Sequence, residues 1–143
     1  MILPDLNLLI FAYNTGAPGH LKAKAWWEAC LSEDSRSVAL PWVVLLGFLR
    51  IMTNRRVLLA PMTPTEALGH IHSWLDRPQT SILHPGTRHL GILEGLLGHT
   101  GTAGNLTTDA HLAALAIENG AELFSNDSDF SGFPGLRWTD PMA

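Results

Sequence analysis

A shortage of cysteine and of long apolar segments sets the first limits on this sequence. The 143-residue chain has a single cysteine, Cys30, which excludes an intrachain disulfide and favours a reducing compartment. The longest apolar run, at 38–49, has about 12 residues, whereas a membrane helix needs roughly 18–20. The apolar N-terminus has no basic segment and is interrupted by Pro4 and Asp5, unlike a signal peptide. We therefore expect a cytoplasmic protein with no membrane partner.

Basic residues are also scarce. The chain has 9 Lys and Arg against 13 Asp and Glu, for a net charge of −4, which argues against bulk attraction to nucleic acid but leaves room for a local basic surface. The only lysines are Lys22 and Lys24, far from the last predicted strands, and this excludes a phosphoacceptor receiver domain. No His and Cys set has the spacing of a zinc site.

Short apolar segments alternate with helical patterns along the whole chain, which predicts one α/β domain over 1–143. We expect a three-layer α/β/α sandwich around a mainly parallel sheet of four to five short strands. The predicted strands are 1–5, 37–40, 80–83, 121–125 and, at the edge, 136–139. The predicted helices are 6–14, 20–33, 41–54, 64–75, 86–101 and 109–120, opened by Pro41 in the third, Thr63 in the fourth and Thr108 in the last.

Four aspartates fall at corresponding places in this pattern. Asp5 ends the first strand, Asp109 opens the last helix, and Asp127 and Asp129 follow the strand at 121–125. Each has a plain structural explanation alone, because Asp favours helix starts and turns. If the first and fourth strands are neighbours, however, all four carboxylates converge at one edge of the sheet.

Clustered carboxylates repel each other, so they become protonated or bind a cation. Oxygen ligands of this kind suit Mg²⁺ or Mn²⁺, which also accept phosphate oxygens. Such an ion can activate water and stabilise the charge of a phosphodiester during hydrolysis. The aspartates therefore indicate phosphodiester hydrolysis, with a metal-independent ribonuclease using two histidines as the alternative.

Three segments carry a resemblance to a known family: PDLNLLIFAY, TTDAHLAALAIENGAEL and SNDSDF. Together with PWVVLLGFLRIMTNRRV in the middle, they resemble the PIN domain, and in particular the VapC toxins of type II toxin–antitoxin systems. The resemblance covers nearly the whole chain. It implies a Mg²⁺-dependent endoribonuclease, with Mn²⁺ as a substitute, that cuts tRNA or rRNA to stop translation and growth. It also implies a homodimer that is inhibited by a VapB-type antitoxin.

The resemblance assigns a role to individual residues. It implies that Asp5 and Asp109 are the main metal ligands, that Asp127 orients water or a second ion, and that Asp129 is a weaker member of the site. Asn7 and Ser125 would be hydrogen-bonding groups that surround the carboxylates. Arg50, Arg55 and Arg56, at the end of the third helix, either stabilise that helix end or contact the phosphates of the substrate or the antitoxin tail.

One departure from the family pattern affects the site. Many PIN domains carry a glutamate in the helix after the second strand, but 41–54 has no acid, and the corresponding position is Leu45, Leu46 or Gly47. Three interpretations follow. The aspartates and water are the only metal ligands, Glu94 takes the place of the missing glutamate, or the chain is a catalytically degenerate PIN-like module that binds RNA or protein.

Overall fold

The computed structural model describes residues 1–32 and 36–143, which contain five short strands and six α-helices. The strands are β1 (Ile2–Pro4), β2 (Val38–Pro41), β3 (Thr80–Leu83), β4 (Glu122–Phe124) and β5 (Trp138–Thr139). The helices are α1 (Leu6–Tyr13), α2 (His20–Cys30), α3 (Trp42–Met52), α4 (Pro64–Leu75), α5 (His89–Thr100) and α6 (Thr107–Asn119). Two 3-10 turns, Gly104–Leu106 and Ser128–Gly132, precede α6 and follow β4.

The strands form one parallel sheet in the order β3-β2-β1-β4-β5. Every observed strand pair is parallel, and β1 lies at the centre between β2 and β4. All three residues of β1 are buried, as expected for a strand covered by helices on both faces. The predicted α/β/α sandwich with a mainly parallel sheet is therefore confirmed.

The predicted starts of two helices are wrong. Pro41 is not the first residue of α3, because its extended ψ of 153° keeps it in β2, where it pairs with Leu83. Thr108 does not cap α6, because the preceding 3-10 turn runs directly into a helix that begins at Thr107.

Elsewhere the predicted elements differ from the observed ones mainly at their ends. The capping hydroxyl at Thr63 is confirmed, since it accepts a hydrogen bond from the backbone N–H of Glu66 at 3.1 Å. Helix α5 begins three residues later than predicted, and the Glu118 carboxylate accepts hydrogen bonds from the N–H groups of Gly86 and Arg88 just before it. Helix α2 ends at Cys30, and the last predicted position, 33, lies outside the described residues.

An aromatic cluster fixes α1, α2, α3 and α4 against each other. Phe48 packs edge-on against Trp74 and Tyr13, with ring centroids 4.8 Å and 5.5 Å away, and Trp27 contacts the far side of this group at 5.5 Å from Trp74. The Trp74 indole N–H donates to the Tyr13 hydroxyl at 2.8 Å, which satisfies a polar group inside the cluster. Buried ring contacts therefore join the first four helices of the chain.

The topology determines where the aspartates meet. In β1 and β4, Pro4 and Phe124 are paired, so the residues that follow them leave the sheet side by side. Helix α6 runs back to the start of β4, which places its N-terminus near the carboxyl ends of the strands. The described part of the chain contains no helix long and apolar enough to span a bilayer.

We expect Phe48→Ala to lower the free energy of unfolding by about 3–5 kcal/mol, because it leaves a cavity in the fully buried aromatic cluster. Urea unfolding monitored by tryptophan fluorescence measures this change. Leu59→Ala is the matched control, because the Leu59 side chain is fully exposed and its loss is expected to cost less than about 0.5 kcal/mol. A Phe48→Ala effect as small as that of Leu59→Ala would contradict the described packing.

Candidate metal centre

Asp5 connects β1 to α1 and is held from two sides. Its Oδ1 accepts a hydrogen bond from the backbone N–H of Leu6 at 2.7 Å, which caps α1. Its Oδ2 accepts one from the Ser125 hydroxyl at 2.6 Å, and its own N–H donates to the Phe124 carbonyl at 2.8 Å. The pKa of the Asp5 carboxyl is raised, mainly by burial and to a smaller extent by the negative charge of Asp127. The hydrogen bonds from Ser125 and Leu6 partly offset this rise.

Ser125 is the fully buried hub between the two strand ends. Its hydroxyl donates its proton to Asp5, so its oxygen is left to accept from the Asp127 N–H at 3.0 Å and from the Asn7 amide at 3.3 Å. The Asn7 Nδ2 must therefore face Ser125, and the Asn7 Oδ1 is buried without a hydrogen-bond partner in the described structure. Ser125 thus donates directly to the Asp5 carboxylate, whereas the Asn7 amide donates to Ser125.

Asp109, Asp127 and Asp129 form the acidic cluster, and each offers a carboxylate oxygen within 4.8 Å of the others. Asp109 lies in the first turn of α6. Asp127 caps the 3-10 turn after β4 by accepting from the Asp129 N–H at 2.9 Å, and this turn brings Asp129 back toward Asp109. The structure thus puts Asp129 within the cluster, whereas Asp5 is outside this 4.8 Å group among the described acids.

Within the cluster, Asp109 is the member whose ionised form is disfavoured. The pKa of Asp109 is raised to about 6. Burial is the largest cause, and the negative charges of Asp5, Asp127 and Asp129 contribute the rest. The influence of Asp5 shows that it belongs electrostatically to the same site, although its oxygens are already hydrogen-bonded. All four sequence-predicted aspartates are therefore brought together at the carboxyl edge of the sheet.

Three of the four aspartates line a cavity of about 830 Å³ between α1, α3 and the start of α6, and Asp129 is not among its lining residues. Asp5, Asp109 and Asp127 line it with Asn7 and Thr108, and the remaining lining is apolar apart from Arg50. This apolar lining was missed from the sequence. Its lining residues are Leu6, Ile10, Phe11, Val43, Val44, Leu46, Gly47, Ile51, Val57 and Leu112.

The three predicted arginines separate in the structure. Arg50 lines the cavity, whereas Arg55 and Arg56 are exposed and do not contribute to its lining. In the described structure, the ion pairs join Lys24 to Glu28 and Arg36 to Glu122, so the Arg50 guanidinium has no carboxylate partner there. A shared contact of all three arginines with one ligand is not supported by this arrangement.

Apolar groups occupy the position where many PIN domains have a glutamate. Leu45 is in the core, while Leu46 and Gly47 line the cavity. A Cβ added to Gly47 would come within 2.5 Å of the Leu6 Cδ2, so the Leu6 side chain takes the space next to the backbone. Glu94 is exposed and does not line this cavity, so it does not substitute there.

The donor set fits a hard divalent cation. Opposite ligands of Mg²⁺ are about 4.2 Å apart, twice a metal–oxygen distance of about 2.1 Å, and the oxygens of the cluster lie within 4.8 Å. The cluster supplies carboxylate oxygens, which favour Mg²⁺ or Mn²⁺ over metals that prefer nitrogen or sulfur. The raised pKa of Asp109 gives a second reason, because a cation would relieve the repulsion that causes part of it.

The histidines of this region have another role. His111, two residues after Asp109, hydrogen-bonds through Nδ1 to the Nε2 of His89 at 2.9 Å and joins α6 to α5. Neither ring lines the acidic cavity. The two-histidine alternative therefore has no support in the geometry of this cavity.

Comparison with known proteins gives a consistent result. The PIN domain profile matches residues 2–136. Ribonuclease VapC33 of Mycobacterium tuberculosis is 47% identical over 142 residues, covering 99% of both chains, and ribonuclease VapC37 of the same organism is 39% identical, covering 100% of this chain and 99% of that one. The fold is similar to that of a chain in a solved structure of VapBC2 from Rickettsia felis bound to a fragment of promoter DNA. The TM-score is 0.70 at 18% identity, with 98% of each chain covered.

We expect removal of one clustered charge to stabilise the metal-free protein at neutral pH. The pKa of Asp109 is about 6 in the fold and about 3.9 when unfolded, so the folded state binds more protons between these values. Its carboxyl consequently costs stability above pH 6, and this cost disappears as the pH falls toward 4. Asp109→Asn removes the cost, so the variant should be more stable than wild type at pH 7.5 and should lose this advantage at pH 4.5.

Urea unfolding in EDTA measures the difference at both pH values. Asp76→Asn is the control, because Asp76 is an exposed acid at the end of α4 and remote from the cluster. An Asp109→Asn variant whose advantage over wild type is the same at both pH values would contradict the electrostatic strain.

Proposed function

This chain belongs to the PIN domain family, and we propose that it is a divalent-metal-dependent endoribonuclease, the toxin of a toxin–antitoxin pair. The observation that carries the proposal is the convergence of Asp109, Asp127 and Asp129 on one point. The ribonuclease names of two relatives, which are 47% and 39% identical over nearly the whole chain, support the same reaction.

Each aspartate has a distinct part in this proposal. Asp109, Asp127 and Asp129 hold the cation, which is Mg²⁺ with Mn²⁺ as a substitute. Asp5 is fixed by Ser125 and Leu6, so it is the rigid side of the site and keeps a carboxylate charge near the ion. Asp127, whose backbone N–H is tied to the Ser125 hydroxyl, would also orient the attacking water or a second ion.

The reaction is hydrolysis of an RNA phosphodiester bond. A divalent ion held by these carboxylates would supply Lewis-acid activation of the phosphate and of the attacking water. Arg50 supplies a positive charge in the same cavity, and its planar guanidinium suits a phosphate oxygen pair. The acidic residues would hold the ion that acts on the reacting phosphate. Arg50, in the same cavity, would pair with negative charge on the RNA backbone.

We extend the proposal to the partners that the resemblance implies. The substrate is a tRNA or rRNA, and its cleavage stops translation. A VapB-type antitoxin inhibits the enzyme, and the structurally similar chain was solved as part of VapBC2. The active form is a homodimer.

A second candidate is a catalytically degenerate module that binds RNA or protein. The observation in its favour is the apolar surface of Leu46 and Gly47 where many PIN domains have a glutamate. The acidic cluster favours the enzyme, because a binding module gains nothing from keeping three mutually repelling carboxylates together.

We expect Asp109→Asn and Asp127→Asn each to reduce the rate of Mn²⁺-dependent RNA cleavage by roughly 10²–10³-fold, because each removes a charge that acts on the reacting groups. Expression of either variant should no longer arrest growth. Gel analysis of a labelled total-RNA substrate measures cleavage, and circular dichroism verifies the fold. Asp76→Asn, which changes an exposed aspartate far from the cluster, should cut RNA at the wild-type rate.

Two outcomes would contradict this assignment. Full growth arrest by the Asp109→Asn variant would show that the cluster is not needed for the reaction. Cleavage that continues in EDTA would favour metal-independent chemistry.

Metal binding has a readout that needs no RNA. At an Mn²⁺ concentration about 100 times the Kd, binding should stabilise the fold by about 2.7 kcal/mol and raise the melting temperature. Asp127→Asn should lose most of this shift because it removes a ligand, and Asp76→Asn should keep it. An equal shift in wild type and Asp127→Asn would show that the ion binds elsewhere.

A further inference from the structure

The large apolar part of the cavity is not explained by metal-dependent hydrolysis. We define the apolar wall as Phe11, Val43, Leu46 and Ile51, which line the same cavity as the aspartates. A volume of about 830 Å³ falls within the usual range for small-molecule sites, roughly 300–1,000 Å³. The cavity is therefore larger than a cation and one phosphate require.

The space beside the wall follows from the sequence of α3. Gly47 and the Leu6 side chain packed against it both line the cavity next to the wall. Leu46 is 56% exposed, so a large apolar side chain faces solvent at the cavity mouth. Exposed apolar surface inside a pocket indicates a site where another molecule covers it.

The charges in the cavity identify the kind of molecule. Arg50 is the cation among the lining residues, and it has no carboxylate partner in the described structure. The Arg50 guanidinium would pair with a phosphate, and the three lining aspartates would face that phosphate through the bound cation. A ligand with an apolar, flat group next to a phosphate matches the wall, Arg50 and the acidic end together.

On the basis of the proposed ribonuclease function, we propose that the apolar wall is a subsite for one unpaired nucleobase adjacent to the scissile phosphate. The base packs between Phe11 and the aliphatic side chains of Val43, Leu46 and Ile51. Contacts of this kind with aromatic and apolar side chains hold bases that have left a stack. The adjacent phosphates then lie at the aspartates and at Arg50.

The subsite has consequences for substrate choice. A base inside a duplex is stacked and paired, so it reaches the wall only after it is extruded, and unpaired nucleotides are preferred. The wall itself carries no hydrogen-bonding side chain, since its four members are Phe, Val, Leu and Ile. The subsite therefore selects by the size and stacking of the base rather than by reading its edge.

The test uses a short unstructured RNA oligonucleotide cut by the full-length protein in Mn²⁺. Once the cut is mapped, a series of the same RNA carries a single abasic ribonucleotide, moved by one position in each member. We expect cleavage to fall about tenfold when the abasic position adjoins the cut, because the stacking contact is lost. Abasic positions farther away should change the rate less than about twofold.

Protein variants link the effect to the wall. Leu46→Gln should lower cleavage of the intact RNA by about tenfold and should cause no further loss on the RNA that is abasic beside the cut. Leu21→Gln is the matched control: Leu21 is 79% exposed on α2, does not line this cavity, and should leave both rates unchanged.

The possible results separate the proposals. Equal cleavage of every abasic RNA, or a Leu46→Gln loss that persists unchanged on the abasic RNA, would overturn the subsite while the ribonuclease function stands. If abasic RNAs are cut normally and Leu46→Gln instead weakens inhibition by the co-expressed antitoxin, the wall contacts a protein partner and the proposal is also overturned. If wild type cuts no RNA at all, the proposed function fails and the subsite fails with it.

Discussion

The parallel pairing of β1 with β4 is the contact on which the acidic site depends. It brings together residues that are 120 positions apart, so that the Ser125 hydroxyl donates to the Asp5 carboxylate at 2.6 Å. The same hydroxyl oxygen accepts from the Asp127 N–H, and Asp127 in turn caps the turn that carries Asp129. Strand pairing therefore brings the acids into one region, and short-range hydrogen bonds fix their local positions.

Bringing these carboxylates together has an electrostatic cost. The carboxylates raise the pKa of Asp109, and burial raises those of Asp109 and Asp5. The rest of the fold offsets the cost through its aromatic cluster, in which Phe48 and Trp74 are completely buried. A site that is unfavourable without a ligand and rigidly held is suited to bind a divalent ion, because little structural change is needed on binding.

Sequence reasoning found the four aspartates and the sheet, because strand ends and helix starts have clear local signals. It did not show that Asp129 lies next to Asp109, since the 3-10 turn that carries Asp129 depends on a hydrogen bond to Asp127. It also left the α3 position open between Leu45, Leu46 and Gly47, because a uniformly apolar helix does not show which residues face the core. The apolar wall was missed for the same reason, since its members come from two helices that only the tertiary structure brings together.

The central claim is that the aspartates bind a divalent ion at the carboxyl edge of the sheet. The most direct measurement is anomalous diffraction from a crystal of the protein soaked in Mn²⁺. The account predicts one strong anomalous peak in contact with carboxylate oxygens of Asp109, Asp127 and Asp129. A well-ordered cluster with no peak, or a peak confined to the His89–His111 pair, would contradict it.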